Sequence, residues 1–204
     1  MNLYGINITF AEKDHKVAEA LKKHFSDTIG VEVVRCDISQ ISNSDCIVAP
    51  GNSYGLMIHE DKNKNQGNTI LKTVNLLLNN IEPRVKNIID NIYYGEQPVG
   101  TSFLVETNDQ RFKYMAYTPI MCHKEDISES NNAYISFRSL LVSILNHNKV
   151  SNNKIQSILC SSFCTGLGSM DPEKAARQMR VAYGLVDINL NCSVESANMI
   201  KGLL

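Results

Sequence analysis

The stretch from Ser157 to Pro172 constrains this chain more than any other. An apolar run through Ile158, Leu159 and Cys160 stops at small residues, turns through Thr165-Gly166-Leu167-Gly168, and restarts at Asp171-Pro172. Asp171 suits the position that caps a helix. Pro172 suits the first helical position, where a missing N–H costs nothing. A strand joined to a helix through a glycine-rich turn is the joint from which α/β domains are built. Such a turn aims several backbone N–H groups at one point beside the positive end of a helix dipole, so its default ligand is an anionic phosphate. The same turn also occurs as a plain tight join with no ligand.

The rest of the chain repeats this alternation. Residues 4–10 alternate as a first strand, 31–36 and 45–49 read as two more, and 155–161 as the last central one. Residues 99–105 and 114–118 read as a hairpin around Asn108-Asp109. Helical spacing covers 14–25, returns at Ile70, Val74 and Leu77-Leu78, and again after Pro83 with Val85, Ile88, Ile89 and Ile92. The clearest helix spans 132–146, and another follows Pro172 as far as Tyr183. Residues 194–204 fit either a short docked helix or a tail. This order predicts a three-layer α/β/α sandwich with a central mixed sheet.

Composition removes several function classes. The 204 residues are 43% hydrophobic and 20% charged, as expected of a folded globular domain. A net charge of -1 and no long Lys/Arg run argue against general nucleic-acid or membrane binding, and favour a small ligand. There is no transmembrane run and no signal-peptide pattern at the start. The six cysteines, Cys36, Cys46, Cys122, Cys160, Cys164 and Cys192, form no C-x-x-C pair. Scattered thiols in apolar runs predict a reducing, cytoplasmic setting. Nothing in the sequence requires a metal or a cofactor.

In open α/β sheets ligands gather beyond the carboxyl ends of the strands. Two loops leave such ends, Pro50 to Met57 and Phe163 to Met170, each with two glycines and small polar residues. Together they suit a diphosphate better than a single phosphate. Asp37, just past the second strand, can accept hydrogen bonds from a base or ribose edge.

These residues resemble the macro domain family, which binds ADP-ribose. The segments Cys36-Asp37-Ile38, Asp45 to Ser53, and Thr165 to Met170 are similar to its three hallmark segments, in order. Residues 97–101 and 114–119 resemble the strand pair between them. The run from Ala175 to Met179 brings the likeness nearest to a bacterial and phage branch labelled tail-associated. The resemblance implies a domain over 1–185 and a C-terminal extension over 186–204, a short helix or tail. It also implies that Asp37 accepts from the adenine amine, Ile38 packs near the base, and Asn52 contacts the distal ribose. Ser162 and the turn Thr165, Gly166, Leu167, Gly168, Ser169 and Met170 wrap the diphosphate on this reading, and Phe163 lines the cleft. Ser53 and Tyr54 belong to the same ligand set.

One region departs from the pattern of catalytic members. They follow the Asn-containing loop with a glycine run and an acidic residue; here residues 57–70 are long and polar, with Gly67 the only glycine. The enzyme reading makes the protein an ADP-ribosyl hydrolase, with Asn52 orienting the ribose and a water and with Glu60 or Asp61 as the acid; His59 is a further substitute for the missing acid. The other readings are a non-catalytic reader or sequestering module for an ADP-ribose-derived signal, and a phage-like structural protein. The expected partner is ADP-ribose or an ADP-ribosylated substrate.

Plainer readings stand beside these. Asn52 can serve only as a turn stabiliser, and Asp37 only as a cap or Asx-turn. Cys164 reads as a structural thiol, since no histidine is placed in sequence to activate it. Cys122-His123 lacks further ligands for a metal. Tyr54, Tyr117 and Phe163 fit either the core or the ligand site.

Overall fold

The structure, a computed structural model, describes residues 3–58, 69–187 and 194–204. Among these, six strands form one sheet: β1 (Asn7–Ala11), β2 (Val31–Val34), β3 (Cys46–Asn52), β4 (Phe103–Glu106), β5 (Tyr114–Met121) and β6 (Ser157–Cys160). Their spatial order is β2-β1-β6-β3-β5-β4. All neighbours are parallel except β4 and β5, the expected hairpin. The helices are α1 (His15–Phe25), α2 (Ile70–Leu77), α3 (Glu82–Ile92), α4 (Asn132–Val150), α5 (Pro172–Asp187) and α6 (Val194–Leu203).

Two apolar clusters, one on each face of the sheet, make three layers. Strand β3 shows how, because successive side chains of a strand point to opposite faces. Cys46 and Val48 join the cluster that holds α1, α4 and α5, while Ile47 and Ala49 join the cluster under α2 and α3. All four are fully buried, as an apolar run in a central parallel strand requires. An aromatic chain runs through the first cluster, with ring centroids 6.0 Å apart from Phe10 to Phe137 and 5.6 Å from Phe137 to Phe163. Removing the Phe137 ring would cost about 3–5 kcal/mol at such a site.

Local signals place the helices. Asp14 caps α1, accepting from Lys16 N at 2.8 Å and Val17 N at 3.1 Å. Asp171 accepts from Lys174 N at 3.1 Å, and Pro172 opens α5 as expected. The chain between α2 and α3 turns through Asn79 and Asn80, both left-handed at φ 53° and 65°. The terminal segment is a helix, α6, which lies against α5, and its Ile200 is buried.

Several boundaries differ from expectation; β4 starts only at Phe103, because the chain before it turns through Gly100 at φ 90°. The chain over Leu3–Gly5 is a 3₁₀ turn, with Tyr4 at φ 47°, so β1 starts later, at Asn7. Strand β5 runs on to Met121, because β3 also continues and pairs with it as far as Asn52. Continuation of β3 through Pro50 is the informative difference. Proline gives no ladder N–H and is confined to edges and bulges. The ladder between β6 and β3 ends at Ile47 opposite Leu159, so beyond that point β3 is paired only on its β5 side. A bulge follows between Gly51 and Asn52. The sheet therefore parts at the carboxyl ends of β6 and β3.

Candidate functional site

A cleft of about 450 Å³ opens at that parting. Its walls come from the carboxyl ends of adjacent strands: Ala11 at the end of β1 with Glu12 and Lys13 after it, Cys36, Asp37 and Ile38 after β2, Pro50 to Asn52 in β3, and Ser161 and Ser162 after β6. Cys164, Thr165, Gly166 and Leu167 cover one side, and Tyr54, Leu56, Thr69 to Leu71, Thr73, Ile120, Met121, His123 and Lys124 complete the rim.

Asp37 begins a 3₁₀ turn over Ile38–Gln40 and closes a capping box with it. Its Oδ1 accepts from Ser39 N at 2.8 Å and Ser39 Oγ at 2.6 Å, and its Oδ2 pairs with Lys13 Nζ. The Lys13 bond first, then those from Ser39, hold the carboxyl down at about 2. A carboxylate offers about four lone-pair sites, so this one retains room for a further donor from the cleft.

Asn52 is only 5% exposed, and its amide closes the loop that follows it. Nδ2 donates to Leu56 O at 2.8 Å, while Oδ1 accepts from Tyr54 N at 3.1 Å and Leu56 N at 3.2 Å. The Tyr117 hydroxyl supports the same residue from below, accepting from Asn52 N at 3.1 Å and donating to Asn52 O at 2.9 Å. That hydroxyl fills the space where a Cβ on Gly51 would lie, 2.3 Å away, so only glycine fits position 51. Further along, Glu82 Oε2 accepts from Met57 N at 3.0 Å and Ile58 N at 2.8 Å, anchoring the loop on α3.

The loop after β6 has two faces. Cys164 and Ser169 are left-handed at φ 68° and 56°. The carbonyls of Gly166 and Cys164 accept from Ser169 N and Met170 N, each at 3.0 Å, and so are turned into the loop. Thr165, Gly166 and Leu167 face the cleft. Gly168 faces the body, where Ile127 Cγ1 and Cys164 O lie 2.7 and 2.8 Å from any added Cβ. Ser162 Oγ donates to Glu12 Oε2 at 2.7 Å and meets Thr165 Oγ1 at 2.6 Å, while Ser162 N also reaches Glu12 Oε2 at 3.2 Å.

The expected residues are thus brought together in part. Asp37, Ile38, Asn52, Tyr54, Ser162, Thr165, Gly166 and Leu167 line one cleft. Phe163 does not; its ring is fully buried against Phe137, because it falls on the α4 side of the sheet. Ser53 turns inward, donating from its N to Met121 O and Cys122 O and accepting from Gln97 N at Ser53 O. Gly168, Ser169 and Met170 lie outside the lining, with Met170 in the core. His59, Glu60 and Asp61 lie outside the described residues.

Other candidates resolve plainly. Burial pushes the Cys164 thiol up to about 12, consistent with a packing role. The Tyr54 hydroxyl bridges Cys122 Sγ at 3.5 Å and Glu96 Oε2 at 3.3 Å on the rim, and the Cys122 bond followed by the charges beside it push it up to about 12. Among the described residues no three His, Cys, Asp or Glu side chains converge as metal ligands, and no helix is long and apolar enough to cross a membrane.

The macro domain model matches residues 78–179, half of the 204-residue chain. The chain belongs to the macro domain family. The matched segment of this macro domain includes β4 to β6 and the loop after β6, while Asp37 and Asn52 lie before it. No curated protein matches the sequence. The fold is similar to the macrodomain of Mycobacterium tuberculosis DarG, at 16% identity and TM-score 0.54, over 71% of this chain and 84% of that one. It is similar to the Oceanobacillus iheyensis macrodomain with MES bound, at 15% and 0.54, over 80% and 85%. It is also similar to Thermosipho africanus DarTG in complex with ADP-ribose, at 14% and 0.52, over 89% of this chain and 50% of that one.

Glu12, Lys13, His123 and Lys124 line the cleft of this macro domain although no motif singles them out. For Glu12 and Lys13 a usable signal exists: they follow β1 as Asp37 follows β2. His123 and Lys124 enter only because β5 runs three residues past its expected end.

Proposed function

We propose that the cleft binds ADP-ribose, or a closely related ADP-ribosyl nucleotide, and acts as a recognition site. The observation that carries this reading is the opening of Asp37, Asn52, Ser162 and the Thr165–Leu167 loop onto one cleft across the ends of β2, β3 and β6. Its volume is within the range of small-molecule sites. Asp37, ionised and with a free acceptor site, suits the adenine amine. The Thr165–Leu167 loop, with the Cys164 and Gly166 carbonyls turned inward, suits the diphosphate. The Thermosipho structure in complex with ADP-ribose supports the assignment through its shared fold.

Hydrolysis is the second reading, favoured by Asn52 at the cleft wall. Against it, the acids that line the cleft among the described residues are Glu12 and Asp37, and both carboxylates are engaged by neighbours. Catalysis then rests on Glu60 or Asp61.

Isothermal titration calorimetry with ADP-ribose, with the recovered ligand checked by chromatography, tests both readings. Saturable binding with intact ligand is the expected result; no heat of binding removes the cleft assignment. Turnover of an ADP-ribosylated substrate that Glu60→Ala and Asp61→Ala both slow, with binding retained, would establish the hydrolase reading instead.

A further inference from the structure

The strand order of the cleft implies an order of ligand parts, and the Glu12 carboxylate on its wall has no part yet. Carboxyl ends follow one another as β2, β1, β6 and β3, with neighbouring strands about 5 Å apart. If the base lies at Asp37 beyond β2, and the diphosphate at the Thr165–Leu167 loop beyond β6, the group between them lies beyond β1. In an adenosine diphosphate that group is the adenosine ribose. The side chain waiting there is Glu12.

The Glu12 carboxylate is held, not free to swing away. Its Oε2 accepts from Ser162 N at 3.2 Å and Ser162 Oγ at 2.7 Å, and its Oε1 accepts from Lys13 N at 3.1 Å. Its own N–H donates to Val34 O at 3.0 Å, tying the residue into the β1–β2 ladder. Three of about four lone-pair sites are thereby used, which leaves Oε1 one further acceptor site. Lys13, the next residue along the chain, pairs with Asp37. A fixed anion with one open acceptor site suits a hydroxyl donor, and opposes a phosphate placed directly on it in that donor's stead.

Resting on the ADP-ribose reading above, we propose that Glu12 is a specificity-determining residue that accepts a hydrogen bond from the adenosine ribose hydroxyls and excludes ligands carrying a 2′-phosphate there. The rejection is electrostatic: two like charges at ribose distance in a partly desolvated cleft. Ligands derived from a non-phosphorylated dinucleotide are accepted, and their 2′-phosphorylated counterparts are not.

The test is calorimetric titration of wild-type protein and Glu12→Gln with ADP-ribose and with its 2′-phosphate. Wild type is expected to bind ADP-ribose about tenfold or more tightly than the 2′-phosphate. In Glu12→Gln the amide oxygen still accepts from Ser162, but the charge is gone. ADP-ribose then weakens a few-fold, the 2′-phosphate strengthens, and the ratio moves towards one. Wild-type affinities within about twofold of each other overturn the proposal, as does a ratio that Glu12→Gln leaves unchanged. If both ligands strengthen equally in Glu12→Gln, Glu12 merely occupies anion donors and reads no ribose. Each of these failures leaves ADP-ribose binding intact, whereas wild type that binds neither ligand overturns the cleft assignment and this proposal together.

Discussion

At Asp37 one carboxylate caps a turn, pairs with Lys13 and faces the cleft, so a simple deletion mixes structure with recognition. Two substitutions separate them. Asp37→Ala removes both the cap and the acceptor, and should weaken ADP-ribose binding by about 1–3 kcal/mol while costing about 1 kcal/mol of stability. Asp37→Asn keeps the cap, since Asn serves equally well there, and loses mainly an exposed ion pair of small worth. It should therefore hold its melting temperature yet bind as poorly as the alanine variant; normal affinity in Asp37→Asn would mean that no amine is read there. The pH dependence has a definite sign. Because the folded carboxyl is depressed to about 2, its contribution is present above the unfolded value of about 3.9 and is lost as pH falls through about 2. An NMR titration of Lys13→Met should show this carboxyl moving back up towards the ordinary value, and no movement would remove Lys13 as the main cause.

The loop after β6 shows what a glycine-rich element reveals in sequence and what it hides. Its place between strand and helix was legible, from the apolar run, the turn and Asp171-Pro172. Which side chains face the ligand was not, because a small-residue loop has no periodicity to orient Phe163 or Met170. Their apolar character fits a cleft wall and a core equally, and packing decides for the core: Phe163 against Phe137, Met170 in the same buried cluster. Glu12 was missed for a related reason: β1 ends in ordinary charged residues with no turn signature. The glycines now divide by what surrounds them, which gives a paired prediction. A Cβ at Gly166 meets nothing within 4 Å and the residue lines the cleft, so Gly166→Val should fold with an unchanged melting temperature and lose ADP-ribose binding. A Cβ at Gly51 meets the Tyr117 hydroxyl and ring, so Gly51→Ala should destabilise by about 1–3 kcal/mol in a denaturant titration. A destabilised Gly166→Val, or a Gly51→Ala as stable as wild type, would show these local environments to be wrong.

Across the whole molecule, alternating strands and helices made the three layers legible, but not the insertion of β6 between β1 and β3. Sequence order places Asp37, Asn52 and Ser162 far apart; only the sheet order makes their strand ends near neighbours. Pro50 carries the trace of this, since a proline in an apolar strand marks an unpaired side, and that unpaired side is the cleft. The site is therefore a property of the assembled sheet: β1, β2, β3 and β6 each contribute wall, and an unfolded chain offers nothing equivalent. A ligand that binds only the folded state stabilises it by mass action, by about 2.7 kcal/mol at a hundredfold excess over its dissociation constant. For a domain of this size that corresponds to a rise of about 5–10 °C in melting temperature. ADP-ribose should produce that rise in wild-type protein monitored by circular dichroism. Gly166→Val should melt like ligand-free wild type and show no rise, because its sheet is intact and only the loop's approach to the diphosphate is blocked. A Gly166→Val protein that rises as wild type does would place the ligand away from the β6 loop, and with it the order of base, ribose and diphosphate along the strand ends.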